Sequence, residues 1–309
     1  MGDTSCGSQD WRYQAISQSV PIQVLPLIVA FALVGLMGVL GARMFASVRL
    51  GLVTAGIFAF TPLIWRQAEA APASLYPLPF VLGWLLAVAH FIDRRASPWA
   101  AIAGGFLGLG VYSSRASAVM MPLYLLLTVG VLAQARVLSR SRLATCVGAF
   151  SAAAGPLALS LVRNPASFRD AVTAYSLYDA HRFNVLQGVH EMVSWVGLTA
   201  RSEVYYDYFN PSFLFFTGHV LFLPCVVLLP AGVYRILGSK SSPLERLSLV
   251  GFLAAPFAAS MTAERPTPGR ILFITIFAAL VSSCGVRQLL TLTHPRVDGT
   301  PASGPTAPV

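Results

Sequence analysis

The sequence predicts an all-α fold: a polytopic transmembrane helical bundle of about nine spans, with one long extracytoplasmic loop that contains a short interfacial helix. Three observations predict it. Hydrophobic residues make up 56% of the chain and charged residues 11%, with mean hydropathy +0.68, whereas a soluble domain carries about 25% charge. Apolar runs of near-membrane length recur between the charges. The connections joining those runs alternate between strongly basic and neutral. The first observation alone excludes disorder, coiled coil and an ordinary soluble enzyme.

The elements follow in chain order. Residues 1–19 form a polar extracytoplasmic stub without the basic and apolar regions of a signal peptide. Apolar runs at 20–42, 48–65, 74–92, 98–114, 116–135 and 143–162 predict the first six spans, within 20–162. The segment 163–212 is too long for a simple connection and reads as a functional extracytoplasmic loop. Inside it Leu186, Val189, Val193 and Val196 recur at helical spacing, which predicts a helix lying along the membrane surface. The aromatic stretch from Tyr205 to Pro211 then re-enters the bilayer. Runs at 213–234, 247–262 and 271–286 predict three more spans, within 213–290, and 291–309 reads as a disordered cytoplasmic tail. No internal repeat is evident, which disfavours a secondary transporter.

Charge sets the predicted orientation. The chain carries a net +9, and every cation is Arg except Lys240. One set of connections, from Arg43 to Arg296, holds 12 cations against Asp93, Glu245 and Asp298. The other, from Arg12 to Arg270, holds nine cations and nine acids. The positive-inside rule makes the first set cytoplasmic, so the N-terminus faces out and the C-terminus in, in a plasma or inner membrane. Placed in loops, the basic excess implies no nucleic acid. The four cysteines and the His181/His190 pair lack disulfide-framework or metal-ligand spacing.

No Asp, Glu, Lys or Arg falls at the centre of a predicted span, so a proton relay inside the bundle is disfavoured. Polar chemistry collects on the predicted outer face instead. Arg66 and Glu69 share one helix end, where Arg offers a planar fork for phosphate oxygens; an interfacial anchor with a local ion pair is the plainer reading. Arg115 follows a run containing Gly104, Gly105, Gly108 and Gly110, small residues that permit close helix packing; a snorkelling Arg is its plainer reading. The segment from Glu264 to Arg270 predicts a tight outer turn with a cation placed to hold a lipid phosphate.

In this order the segments resemble a known family. Ala42-Arg43-Met44-Phe45, Phe60 to Arg66, Gly105 to Arg115, Tyr208 to Gly218 and Pro256 to Arg270 resemble, in sequence and order, stretches of the bacterial GT-C-fold membrane glycosyltransferases related to protein O-mannosyltransferases and the aminoarabinose transferase of lipid A. The likeness covers about residues 20–290. It implies transfer of a sugar from a polyprenyl-phosphate carrier to an acceptor on the outer face. A carboxylate in the first outer loop would act as base, cations would stabilise the leaving phosphate, and a divalent cation often assists. On this resemblance Arg66, Arg115 and Arg270 are the donor-phosphate residues and Glu69 the catalytic carboxylate. Tyr208, Asn210 and Glu264 belong to the acceptor loop. The family's first helix and acidic loop precede the stretch matching at Val20; residues 1–19 do not reproduce them, so either an N-terminally shortened form or a base placed elsewhere is expected. A non-catalytic membrane subunit and a lipid or sugar transporter are the alternatives.

Overall fold

The structure, a computed structural model, describes residues 20–70, 72–164, 187–188, 190, 194–238, 241–261 and 266–293. The described residues form helices and no strand. In chain order they are α1 (Val20–Phe45), α2 (Val48–Ala59), α3 (Pro62–Ala70), α4 (Pro77–Arg94), α5 (Ser97–Gly110), α6 (Arg115–Gln134), α7 (Arg140–Arg163), α8 (Trp195–Asp207), α9 (Cys225–Leu237), α10 (Pro243–Ala254), α11 (Phe257–Ser260) and α12 (Phe273–Thr293). Two 3-10 turns, Pro72–Leu75 and Pro268–Ile271, and a π-helical turn, Ser212–Thr217, complete the order.

Local sequence sets the helix ends. Ser47, Ser114, Ser139, Ser194 and Ser242 cap α2, α6, α7, α8 and α10, each side chain accepting a backbone N–H of the first turn. Pro77 and Pro243 occupy first-turn positions, where a missing N–H costs nothing. The helix α4 ends on Arg95 in the left-handed region, φ 54°.

Among the described residues five helices are long and apolar enough to cross a membrane: Leu25–Phe45, Ala73–Arg94, Arg115–Gln134, Arg140–Arg163 and Phe273–Leu292. The other predicted runs are helical but interrupted. Run 48–65 breaks at Thr61-Pro62 into α2 and α3, bent by 51°, because Pro62 supplies no N–H and disfavours helical geometry at Thr61. Run 247–262 divides at Ala255-Pro256 into α10 and α11, and run 213–234 divides between the π-helical turn and α9. Run 98–114 yields α5, which is 14 residues long. The predicted interfacial helix around 186–198 lies largely outside the described residues; α8 begins at Trp195, near its end.

The central helix is α12, which buries 72% of its apolar window against 6% for α7. Phe273 and Phe277 of α12 pack on Tyr124 of α6, and Tyr124 stacks on Trp84 of α4 at 5.2 Å. Small residues bring helices into backbone contact. A Cβ at Gly104 would collide with the Cys146 carbonyl of α7, and one at Gly285 with the Leu228 carbonyl of α9.

The charged connections gather at two separate ends. Where α1, α4, α9, α10 and α12 meet, Glu245 is 2% exposed, with Oε1 3.8 Å from Arg235 Nε and 3.6 Å from Arg287 Nη1. The Arg287 guanidinium also lies 5.9 Å from the Phe45 ring centre, and Arg43 reaches Asp93 at 3.9 Å. The other end carries Arg66, Ser74, Arg115 and Arg270 and holds a cavity.

Candidate functional site: a guanidinium-lined cavity

The cavity, about 330 Å³, lies where three segments converge. Its floor and sides are Pro77, Leu78, Leu272 and Phe273; its polar wall is Ser74, Ser114, Arg115, Gly269 and Arg270. Each polar residue has a local reason to be there. Ser114 is the N-cap of α6: its backbone is extended and its hydroxyl accepts the Ser117 N–H at 3.1 Å. That geometry makes Arg115 the first residue of a 20-residue helix whose N-terminus borders the cavity. The Ser113 hydroxyl fixes the approach by donating to Gly110 O at 2.6 Å.

Arg270 enters from the opposite side on the 3-10 turn Pro268–Ile271, whose Arg270 N–H donates to Thr267 O at 3.2 Å. Gly269 lets this turn close onto α3, because a Cβ there would lie 3.1 Å from Gln67 Nε2. Gln67 Oε1 accepts the Ser74 hydroxyl at 3.0 Å and so ties α3 to the turn Pro72–Leu75. Two arginines, two serines and a helix N-terminus therefore line one space. Among the described residues the lining includes no carboxylate. Such a set attracts an anion and offers Arg forks to planar or tetrahedral oxygens.

The predicted site residues divide. Arg115 and Arg270 line the same cavity. Arg66 is exposed and absent from its lining; Nη1 donates to Gly218 O at 3.3 Å, bridging α3 to the segment after the π-helical turn. Its neighbour His219 holds a positive φ of 47°. Glu69 is exposed near the end of α3, two residues beyond Gln67. Tyr208 is wholly buried, and its hydroxyl oxygen accepts the Thr267 N–H at 3.4 Å. Asn210 is exposed, and Oδ1 accepts the Ser212 N–H at 2.9 Å, a local turn contact. Glu264 lies outside the described residues.

Ser74, Ser114, Gly269 and, behind them, Gln67 were not singled out from sequence. Ser114 had a signal, since a Ser directly before a helical run is an N-cap. The other three depend on distant segments meeting and had none. Among the described residues no three His, Cys, Asp or Glu side chains gather as metal ligands. A wall of hydroxyls and guanidinium groups does not fit a divalent cation, which takes several oxygen ligands with carboxylates among them.

Compared with family models, curated proteins and solved structures, the chain matches none.

Proposed function

We propose that this chain is a membrane glycosyltransferase of the GT-C type, or the greater part of one, that takes a sugar from a polyprenyl-phosphate carrier. The reading includes about nine membrane crossings, the shorter and broken helices completing the five long ones. It also places the Arg115 end of the bundle on the outer face of the plasma or inner membrane, because the other end carries the basic excess. The observation that carries the proposal is the convergence of Arg115 and Arg270, from distant parts of the chain, on one cavity at the N-terminus of α6. The ordered resemblance to that family supplies the substrate class.

In this account the two guanidinium groups hold the phosphate of the donor. As the acceptor hydroxyl oxygen bonds to the anomeric carbon, the bond from that carbon to the phosphate oxygen breaks. Charge then grows on the leaving phosphate, and cations fixed beside it stabilise that charge most in the transition state. The hydroxyl proton passes to a carboxylate. Glu69 is the candidate of this chain, because α3 also carries Gln67 against the cavity wall. Arg66 serves the site indirectly by holding the Gly218 carbonyl. No step is assigned to a metal.

One observation favours the transporter alternative: the 51° break between α2 and α3, since broken helices line ion and substrate sites in many transporters. Side chains already occupy carbonyls at this break. Trp65 Nε1 donates to Ala59 O at 2.6 Å and Thr61 Oγ1 to Ile57 O at 2.9 Å. That favours a structural kink.

Transfer from a polyprenyl-phosphate sugar, assayed in membranes, tests the proposal. Arg270→Ala is expected to lower kcat/KM by about 100-fold or more, the loss seen when one donor to a developing anion is removed. Transfer by the variant at the wild-type rate would remove Arg270 from the role.

A further inference from the structure

The helix α8 lies outside the cavity yet is bound to the chain that delivers Arg270. Arg201, Tyr205 and Tyr208 fall at i, i+4 and i+7, one face of α8 continued into its C-cap. All three reach backbone atoms. Arg201 Nε donates to Met261 O at 3.0 Å, while its Nη1 is anchored on Gly197 O of its own helix at 3.0 Å. The Tyr205 hydroxyl donates to Leu253 O at 2.7 Å. Thr267 N donates to the Tyr208 hydroxyl oxygen at 3.4 Å.

The partners form a pattern. Leu253 and Met261 stand at the C-terminal ends of α10 and α11, where carbonyls have no intrahelical donor. Thr267 is the residue whose carbonyl starts the turn that carries Arg270. The contacts thus fix main chain on both sides of residues 262–265. Apolar packing backs them: Phe209 meets Phe252 of α10 at 5.5 Å, and Tyr208 meets Phe213 at 5.6 Å.

We infer that Arg201, Tyr205 and Tyr208 form a clasp that sets the position of the Arg270 turn, which makes them positioning residues for anion binding in the cavity. The inference rests on the reading of the cavity as a phosphate site. Misplacing a guanidinium by a small fraction of its reach weakens a charge-assisted hydrogen bond steeply.

The test measures binding of geranyl phosphate to the full chain in nanodiscs, together with hydrogen exchange at residues 270–272. Arg201→Ala is expected to weaken binding about tenfold, the size of coupling within one hydrogen-bonded network, and to speed exchange at the turn. Arg201→Lys, which keeps one donor, should restore most of the affinity. The double variant Arg201→Ala/Arg270→Ala should bind no more weakly than Arg270→Ala alone. Should Arg201→Ala fail to fold, Tyr205→Phe, which removes a single hydroxyl, decides in its place. Unchanged affinity in these variants, or fully additive losses with Arg270→Ala, would overturn the clasp. If Arg270→Ala itself binds as wild type, the phosphate reading fails, and exchange at the turn alone then decides the clasp.

Discussion

The two ends of this bundle use arginine in opposite ways. At the Glu245 end, Arg235 and Arg287 converge on a carboxylate that is 2% exposed. That carboxylate also completes a capping box with Ser242, its Oε2 accepting the Ser242 N–H at 2.7 Å. Charge there joins α9, α10 and α12. At the Arg115 end, Arg115 and Arg270 line a cavity of about 330 Å³ whose described wall includes no carboxylate. The same residue type acts as a tie in one place and as a lining in the other. The difference lies in what each side chain faces, which composition alone does not report.

Breaking the tie gives the largest expected effect. Glu245→Ala should destabilise the protein by about 2–3 kcal/mol, less than the full cost of breaking a buried ion pair because Arg235 and Arg287 are 20% and 40% exposed, read as a lowered thermal midpoint in detergent. A midpoint close to wild type would show that Arg235 and Arg287 find other partners, and the contrast between the ends would weaken. The smallest effect belongs to Arg43→Ala at the same end. Its contact with Asp93 is 3.9 Å long, between side chains 45% and 58% exposed, so the loss should stay below about 1 kcal/mol. A larger loss would mean that surface charge, too, holds this end together.

The sequence disclosed the helices and the sorting of charge better than it disclosed where helices stop. Five apolar runs became long helices because length and low charge are enough to specify them. Runs 48–65 and 247–262 hid breaks, since an apolar stretch reads the same across a bend. Pro62 and Pro256 were the available signals. Arg115, Arg270 and Arg66 were all chosen as cations of the predicted outer face at the ends of apolar runs. Arg66 instead donates to Gly218 O, because such a cation's partner depends on the segment packed beside it. Gln67 and Ser74 could not be found at all from sequence, since their role exists only once α3, Pro72–Leu75 and Gly269 meet. The clasp on α8 was partly legible: the spacing of Arg201, Tyr205 and Tyr208 marks one helix face, but that face does not announce which carbonyls it will meet.

The shared cavity is best tested by titrating the protein in nanodiscs with geranyl phosphate, comparing wild type with Arg115→Ala and Arg270→Ala. Saturable binding that each substitution weakens by about tenfold or more, as expected for loss of a charge-assisted hydrogen bond, with thermal midpoints unchanged, is the predicted result. Wild-type affinity in either variant would show that the two guanidinium groups do not act on one anion, and the account would fail at its centre.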